Sequence, residues 1–382
     1  MPTPPAPTPV ATPAAPAPPP PRGRAIALLY SSNLQGHFTP CACAVQPLGG
    51  VARRATLVGR ARAESDAAVV VDAGDLFQVE GSAAETERQA RLLAAAFART
   101  GLDALTPGEA DLAIGLPLLK KMAATFKLPV VSANLYGRDG RRLFDADRLV
   151  DAAGLRIGLF GISAPPGADA ANRWRADGIE ARDPIEAGRA EVKSLRARGA
   201  QVVVALVHAG APAENRRVVG AIDGLDWAVL GHSALNLEAP EKVGSARILE
   251  AFSEGKYLGR LDLHQVGGDA RFTDRGERQE VAAILADHQK QLGEYDRSLG
   301  GMDPAALEDY YRQRRAQLEQ AIARETALLA RLPAAITGSW FQNRLLPLDS
   351  TVPDDPAVGK LVRDLRVGRL ARRKHAGLAD GP

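Results

Sequence analysis

Apolar residues in this chain fall into short bounded runs separated by stretches of helical period. Residues 25–30, 67–71 and 202–207 are aliphatic and β-branched runs closed by polar or glycine-containing turns, which predicts buried strands. Residues 102–105 and 227–230 predict shorter ones, and 129–134 predicts a strand running into a loop. Helical periodicity covers 51–64, 84–100 (Leu92, Leu93, Ala96 and Phe97 on one face), 116–125, 185–198 and 213–222. Residues 143–161 read as a hairpin, with Gly154 turning the chain into the run at 155–162. Alternation at 246–252 and 257–265 predicts an antiparallel pair. Strands and helices alternate early and strands dominate later. That order predicts a mixed α/β sandwich rather than a simple Rossmann fold.

The pattern changes after about residue 275. Val281, Ile284, Leu285, His288, Leu292 and Tyr295 fall at three- and four-residue intervals. So do most of Leu307, Tyr311, Arg314, Leu318, Ile322, Leu328 and Leu332. Asp303-Pro304 is placed to cap the second helix, and Leu332-Pro333 to end it. An antiparallel helical hairpin follows. Residues 340–348 predict a strand returning to the main body. A last helix over 356–373 ends in Arg369, Arg372, Arg373 and Lys374, basic residues that complement its dipole. The expected organisation is a Pro/Ala-rich tether at 1–23, an α/β body at 24–275, the hairpin at 276–335, and a C-terminal strand and basic helix at 336–382.

Composition narrows the possibilities. The chain has 382 residues, is 46% hydrophobic and carries a net charge of +3 with both signs interspersed, so charge makes no case for nucleic acid. No apolar run reaches the roughly 18 residues of a membrane span. Residues 1–22 lack the basic start and apolar core of a signal peptide and read as an extended tether of the kind that follows a leader or anchor. The two cysteines, Cys41 and Cys43, stand in Pro-Cys-Ala-Cys. This is not a disulfide scaffold, and a bridge between positions i and i+2 would be strained. Neither a zinc-ribbon nor a haem-attachment spacing is present.

Chemistry collects where the strands end. Val69–Val71 runs into Asp72-Ala73-Gly74-Asp75, the first strand into Ser31-Ser32-Asn33, the run at 202–207 into His208, and the run at 227–230 into Gly231-His232. Carboxyl ends of strands in open α/β sheets are where ligands bind. The recurrence, rather than any one residue, points to a site.

The ordered motifs resemble the calcineurin-like metallophosphoesterase superfamily, in its 5′-nucleotidase branch, over roughly residues 25–270. Ser31-Ser32-Asn33-Leu34-Gln35-Gly36-His37 matches the family's T-N-D-L-H-G-H. Gly49 to Arg54 matches G-G-x-A-R-R, and Asp72 to Gln78 matches D-A-G-D-x-F-Q. Gly108 to Ala113 stands for G-N-H-E-F-D, and Ser132-Ala133-Asn134 for S-A-N. His208-Ala209-Gly210 matches H-x-G, Gly231-His232-Ser233-Ala234 matches G-H-S-H, and Gly255 to Asp262 matches G-K-Y-L-G-R-L-D. The resemblance implies a four-layer sandwich, two mixed sheets flanked by helices, here with the helical hairpin after it.

The resemblance also implies two metal ions sharing one aspartate, here Asp75, and acting together on a phosphate ester. One ion's positions are Asn33, Gln35 and Ala234, and neutral amides are poor replacements for a carboxylate and an imidazole. The other's are Asp75, Glu109, His208 and His232, a credible set for a single divalent ion, zinc or manganese by resemblance. The family's leaving-group acid and its orienting aspartate fall on Ala110 and Ala113. Cys41 and Cys43 follow the first loop closely and within reach of the same cleft, where thiolates would be soft or redox-active ligands. That loop is similar to an exported bacterial subgroup associated with multihaem cytochromes c. Three readings follow: a divergent metal-dependent phosphoesterase, exported to the periplasm or membrane-anchored; an inactive relative that binds a metal or oxyanion, or works with a multihaem cytochrome; and an interaction module built on the hairpin.

Overall fold

Strands that are apolar on both faces need cover on both sides, and four layers supply it. The structure is a computed structural model that describes residues 23–42, 46–298 and 309–365. In chain order the first part comprises β1 (Arg24–Ser31), α1 (Val51–Glu64), β2 (Ala67–Asp72), α2 (Ala83–Arg99), β3 (Ala104–Leu105), α3 (Glu109–Ala113) and α4 (Leu116–Phe126). Then come β4 (Leu135–Gly137), β5 (Asp147–Ala152), β6 (Leu155–Ser163), α5 (Ala168–Ala176), β7 (Ile179–Ala181), α6 (Pro184–Ala197), β8 (Val202–His208), α7 (Pro212–Gly220) and β9 (Trp227–Leu230). The remainder is β10 (Glu241–Val243), β11 (Ala246–Leu249), β12 (Tyr257–Gln265), β13 (Thr273–Asp274), α8 (Glu277–Ser298), α9 (Asp309–Arg331) and β14 (Trp340–Pro347).

One sheet has the order β13-β14-β12-β1-β2-β3 and the other β10-β11-β9-β8-β6-β5. Alternation along the strands decides the layering. In β1, Ile26, Leu28 and Tyr30 face the second sheet, while Ala27 and Leu29 face helices α1 and α2. In β8, Val202, Val204 and Leu206 meet the first sheet across that shared core, and Val203, Ala205 and Val207 pack outward with residues of α6 and α7. The helices begin where their caps dictate. A capping box between Ser82 and Glu85 starts α2, and the Asp183 carboxylate accepts the Ile185 and Glu186 amides at the start of α6.

Strands β1, β2 and β3 run parallel, as do β6, β8, β9 and β11. The loops after β1, β2 and β3 in one sheet therefore leave at the same edge as each other, and so do those after β8 and β9 in the other. The two edges meet, which is how residues far apart in sequence reach one cleft.

Two expected elements differ. Residues 129–134 form only isolated bridges, Leu105 with Val130 and Val131 with Asp145; Pro129 has no amide hydrogen to extend a ladder. Residues 246–252 and 257–265 are not a pair: β11 joins β9 and β10, whereas β12 joins β1 and β14. The loop between them carries the chain from one sheet to the other, through left-handed backbone at Phe252 (φ 63°) and Glu254 (φ 56°). Alternating strands adjacent in sequence look like a hairpin when that crossing is invisible.

Helices α8 and α9 run antiparallel. The His288 ring bonds Glu325 (3.0 Å), Arg315 pairs with Asp296 (3.0 Å), and Arg278 donates to the Leu329 and Leu332 carbonyls. The expected Asp303-Pro304 cap lies outside the described residues. β14 returns alongside β12. Residues 356–365 are helical, and the basic end of that segment is again outside the described residues. Among the described residues no helix is long and apolar enough to cross a membrane.

Candidate metal centre

Four strand ends deliver four side chains of metal-ligating type. Asp75 follows β2, Glu109 opens α3 after β3, His208 ends β8, and His232 follows β9. One ligand atom from each lies within 4.8 Å of the others, with Asp75 and His208 buried and Glu109 and His232 partly open. The backbone has to come close for this. A Cβ on Gly231 would sit 2.2 Å from the Ala73 carbonyl oxygen and 2.3 Å from His208 Nδ1, and one on Gly108 would sit 2.2 Å from Asp75 Oδ1. Only glycine leaves that space.

His208 Nδ1 lies 2.7 Å from the Ala73 carbonyl oxygen, to which it donates. That bond leaves Nε2 to face the cleft, 2.6 Å from Glu109 Oε2 and 3.5 Å from Asp75 Oδ2. The other oxygen of Glu109 lies 2.6 Å from His232 Nδ1. One carboxylate thus spans two imidazoles, whose ring centres are 5.7 Å apart. Burial opposes charge on His208, but the Asp75 and Glu109 carboxylates outweigh it and hold the imidazole well above its usual pKa. The bond to Glu109 raises His232 as well. Burial opposes ionisation of Glu109, yet the two imidazoles bring its carboxyl down. Two carboxylates and two imidazoles, with protons shared across the space they enclose, are a donor set that a divalent cation fits, since it replaces those protons.

The other sequence-nominated residues have different positions. Asn33 is buried at the rim. Its Oδ1 accepts the His232 amide (2.7 Å) and its Nδ2 donates to the Phe252 carbonyl (3.4 Å), so both ends of the side chain are committed to backbone. Gln35 touches the loop after β2 through its backbone N–H, which donates to the Asp75 backbone carbonyl (2.7 Å). The Ala110 amide donates to Asp75 Oδ1 (2.8 Å), and Ala113 is exposed on α3. Cys41 differs from expectation. It is disulfide-bonded and offers no thiolate, and the ligand cluster contains no cysteine among the described residues. Its neighbourhood is the Leu48 backbone. Cys43 lies outside the described residues.

Sequence reasoning gave no role to the buried groups beneath the centre. Asp72 accepts the Ser31 hydroxyl (2.6 Å) and the Gly74 amide (3.0 Å), which shapes the turn before Asp75. Burial pushes its carboxyl up to about 6, and the buried Arg54 guanidinium, which donates to Ser31 Oγ, opposes that rise. Asp111 is fully buried and bonded to three backbone amides. Its signal was available: Gly108 to Asp111 has the spacing of a helix-start box, in which the third residue's carboxylate reaches back to the cap amide.

No protein-family model matches the chain. It is 26% identical to a 5′-nucleotidase of Vibrio cholerae over 255 residues, covering 58% of this chain and 46% of that protein. The chain spans about half the length of the curated relatives it matches. In fold it is similar to a 5′-nucleotidase precursor from Thermus thermophilus (TM-score 0.60, 18% identity, 91% of this chain and 59% of that one). It is likewise similar to the calcineurin-like phosphoesterase YfkN from Bacillus subtilis (TM-score 0.59, 16% identity, 92% and 99%). The likeness in sequence to 5′-nucleotidases and the fold shared with calcineurin-like phosphoesterases support the calcineurin-like metallophosphoesterase superfamily, to whose 5′-nucleotidase-type members this chain is similar.

Proposed function

We propose that this chain is a divergent phosphoesterase that holds one divalent ion, zinc or manganese, between Asp75, Glu109, His208 and His232, and that it acts on a small phosphate ester. The observation that carries this is the convergence of those four side chains with the His208 tautomer set by the Ala73 carbonyl. When bound, the ion supplies a Lewis acid and an orienting template for displacement at phosphorus. Asp75 and Glu109 balance its charge, and the Ala73 bond keeps His208 Nε2 aimed at it. Asn33 supports a single ion rather than two, because both ends of its side chain are engaged with backbone.

Ala110 and Ala113 place methyl groups where the resemblance implies a leaving-group acid and its partner. A missing general acid lowers the rate by about 10²–10⁴, and the loss falls on esters whose leaving group needs a proton. The expected activity is therefore selective for good leaving groups. With Mn²⁺, p-nitrophenyl phosphate should be hydrolysed well ahead of a nucleoside monophosphate, and Asp75→Asn should abolish turnover of both. Equal rates on the two substrates, or turnover insensitive to Asp75→Asn, would contradict the proposal. Export to the periplasm or to a membrane anchor is part of this reading and rests on the family resemblance and the Pro-rich tether.

The two alanines also favour a second reading: a non-hydrolytic relative that binds a metal or oxyanion, or docks with an electron-transfer partner. It predicts metal binding without turnover of either ester.

A further inference from the structure

Asp111 is fully buried and meets no cation. Its Oδ2 accepts the amides of Asp75 (2.7 Å) and Gly108 (2.9 Å), and its Oδ1 accepts the amide of Phe77 (2.8 Å). A carboxylate out of water is tolerated only when its oxygens are filled in this way. Two of the three bonds leave its own segment and grip the loop after β2. A bond returns in the opposite direction, from the Ala110 amide to Asp75 Oδ1 (2.8 Å). The two loops thus exchange carboxylate-to-amide bonds, and Glu109 lies between the two residues, Gly108 and Ala110, whose amides take part. Capping α3 accounts for the Gly108 bond alone. The other two go to Asp75, whose backbone is left-handed (φ 56°), and to Phe77 just beyond it.

We propose that Asp111 is the positioning residue of the metal centre, a clamp acting through backbone amides that sets where Asp75 and Glu109 present their carboxylates. The inference rests on those residues being metal ligands. It touches neither metal nor substrate, and its effect is read in affinity: loss of such outer partners weakens metal binding about 10–100-fold.

The test is calorimetric titration of the metal-free full chain with Mn²⁺, at a temperature where thermal scans show wild type and variant both folded. Asp111→Asn replaces one acceptor with a donor that faces amide hydrogens. The expected result is an unchanged stoichiometry with a dissociation constant about 10–100-fold higher. A merely structural role would lower the melting temperature and leave that constant within about twofold of wild type, and this outcome overturns the clamp while leaving the metal centre standing. No Mn²⁺ binding by wild type overturns both together. Where Asp111→Asn does not fold, Asp111→Ser serves. It removes the buried charge and shortens the side chain, so the acceptors are withdrawn from the Asp75 and Phe77 amides while both candidate ligands keep their own sequence. It should weaken Mn²⁺ in the same direction, and unchanged affinity would again overturn the clamp.

Discussion

Asn33, Gln35, Asp75, His232, Ala234, Phe252 and Glu254 all have left-handed backbone, at φ between 50° and 69°, and all lie on the loops around the cleft. Each non-glycine residue there costs about 1–2 kcal/mol against the ordinary helical region, and such strain concentrates at functional sites. At Asp75 and His232 the strained residue is also a candidate ligand. At Ala234 the side chain does no chemistry, so the strain there has no return. Ala234→Gly should raise stability by about 1 kcal/mol in denaturant titration and leave metal stoichiometry unchanged; a destabilised variant would contradict this account of the loop. Glu250 offers a test by pH. It is fully buried, accepts the Ser233 hydroxyl, and burial pushes its carboxyl from 4.5 up to about 7. The folded state therefore binds this proton more tightly than the unfolded chain does. The stability it contributes is complete below about pH 4.5 and is lost as pH rises through about 7. The stability of wild type relative to Glu250→Gln should fall by about 3 kcal/mol across that window, and a pH-independent difference would contradict the assignment. Asp75, His208 and His232 were legible in the sequence because each stands at or just past the end of a recognisable strand, whereas Glu109 was nominated only through the resemblance. Asp72 and Arg54 were not, and Asp111 was legible only as a helix-start residue and not in its grip on the loop after β2, because a buried polar residue has meaning only through partners that sequence order does not name.

At the scale of elements, the runs at 51–64 and 227–230 are legible to the residue, since caps and turn residues bound them sharply. The mixed α/β sandwich was legible in the order of strands and helices, and its four layers through the resemblance. The sheet to which β11 and β12 belong was not, because alternation is the same whether a strand pairs with its neighbour or crosses to the other sheet. Helices α8 and α9 leave and rejoin the first sheet at one place: Thr273, just before them, pairs with Trp340, just after. The pair therefore stands outside the ladder that positions the site. Replacing residues 277–336 with a short Gly/Ser loop should leave Mn²⁺ stoichiometry unchanged and shift the melting temperature of the remaining fold by only a few degrees. Loss of metal binding on deletion would show that the hairpin supports the cleft.

On the scale of the whole molecule, the centre exists because two sheets present the carboxyl ends of their parallel strands to one another. Asp75 and His232, far apart in the chain, are brought into one group by that arrangement. Neither sheet alone carries the candidate ligand set: the first contributes two carboxylates and the second two imidazoles. The chain spans about half the length of the curated relatives it matches. The most direct test is the metal content of the purified chain by elemental mass spectrometry after exposure to Zn²⁺ or Mn²⁺ and removal of excess, for wild type and for a His208→Ala/His232→Ala variant. The account predicts about one ion per wild-type chain and none in the variant, with both folded. No bound ion in wild type, or the same content in both, would contradict it.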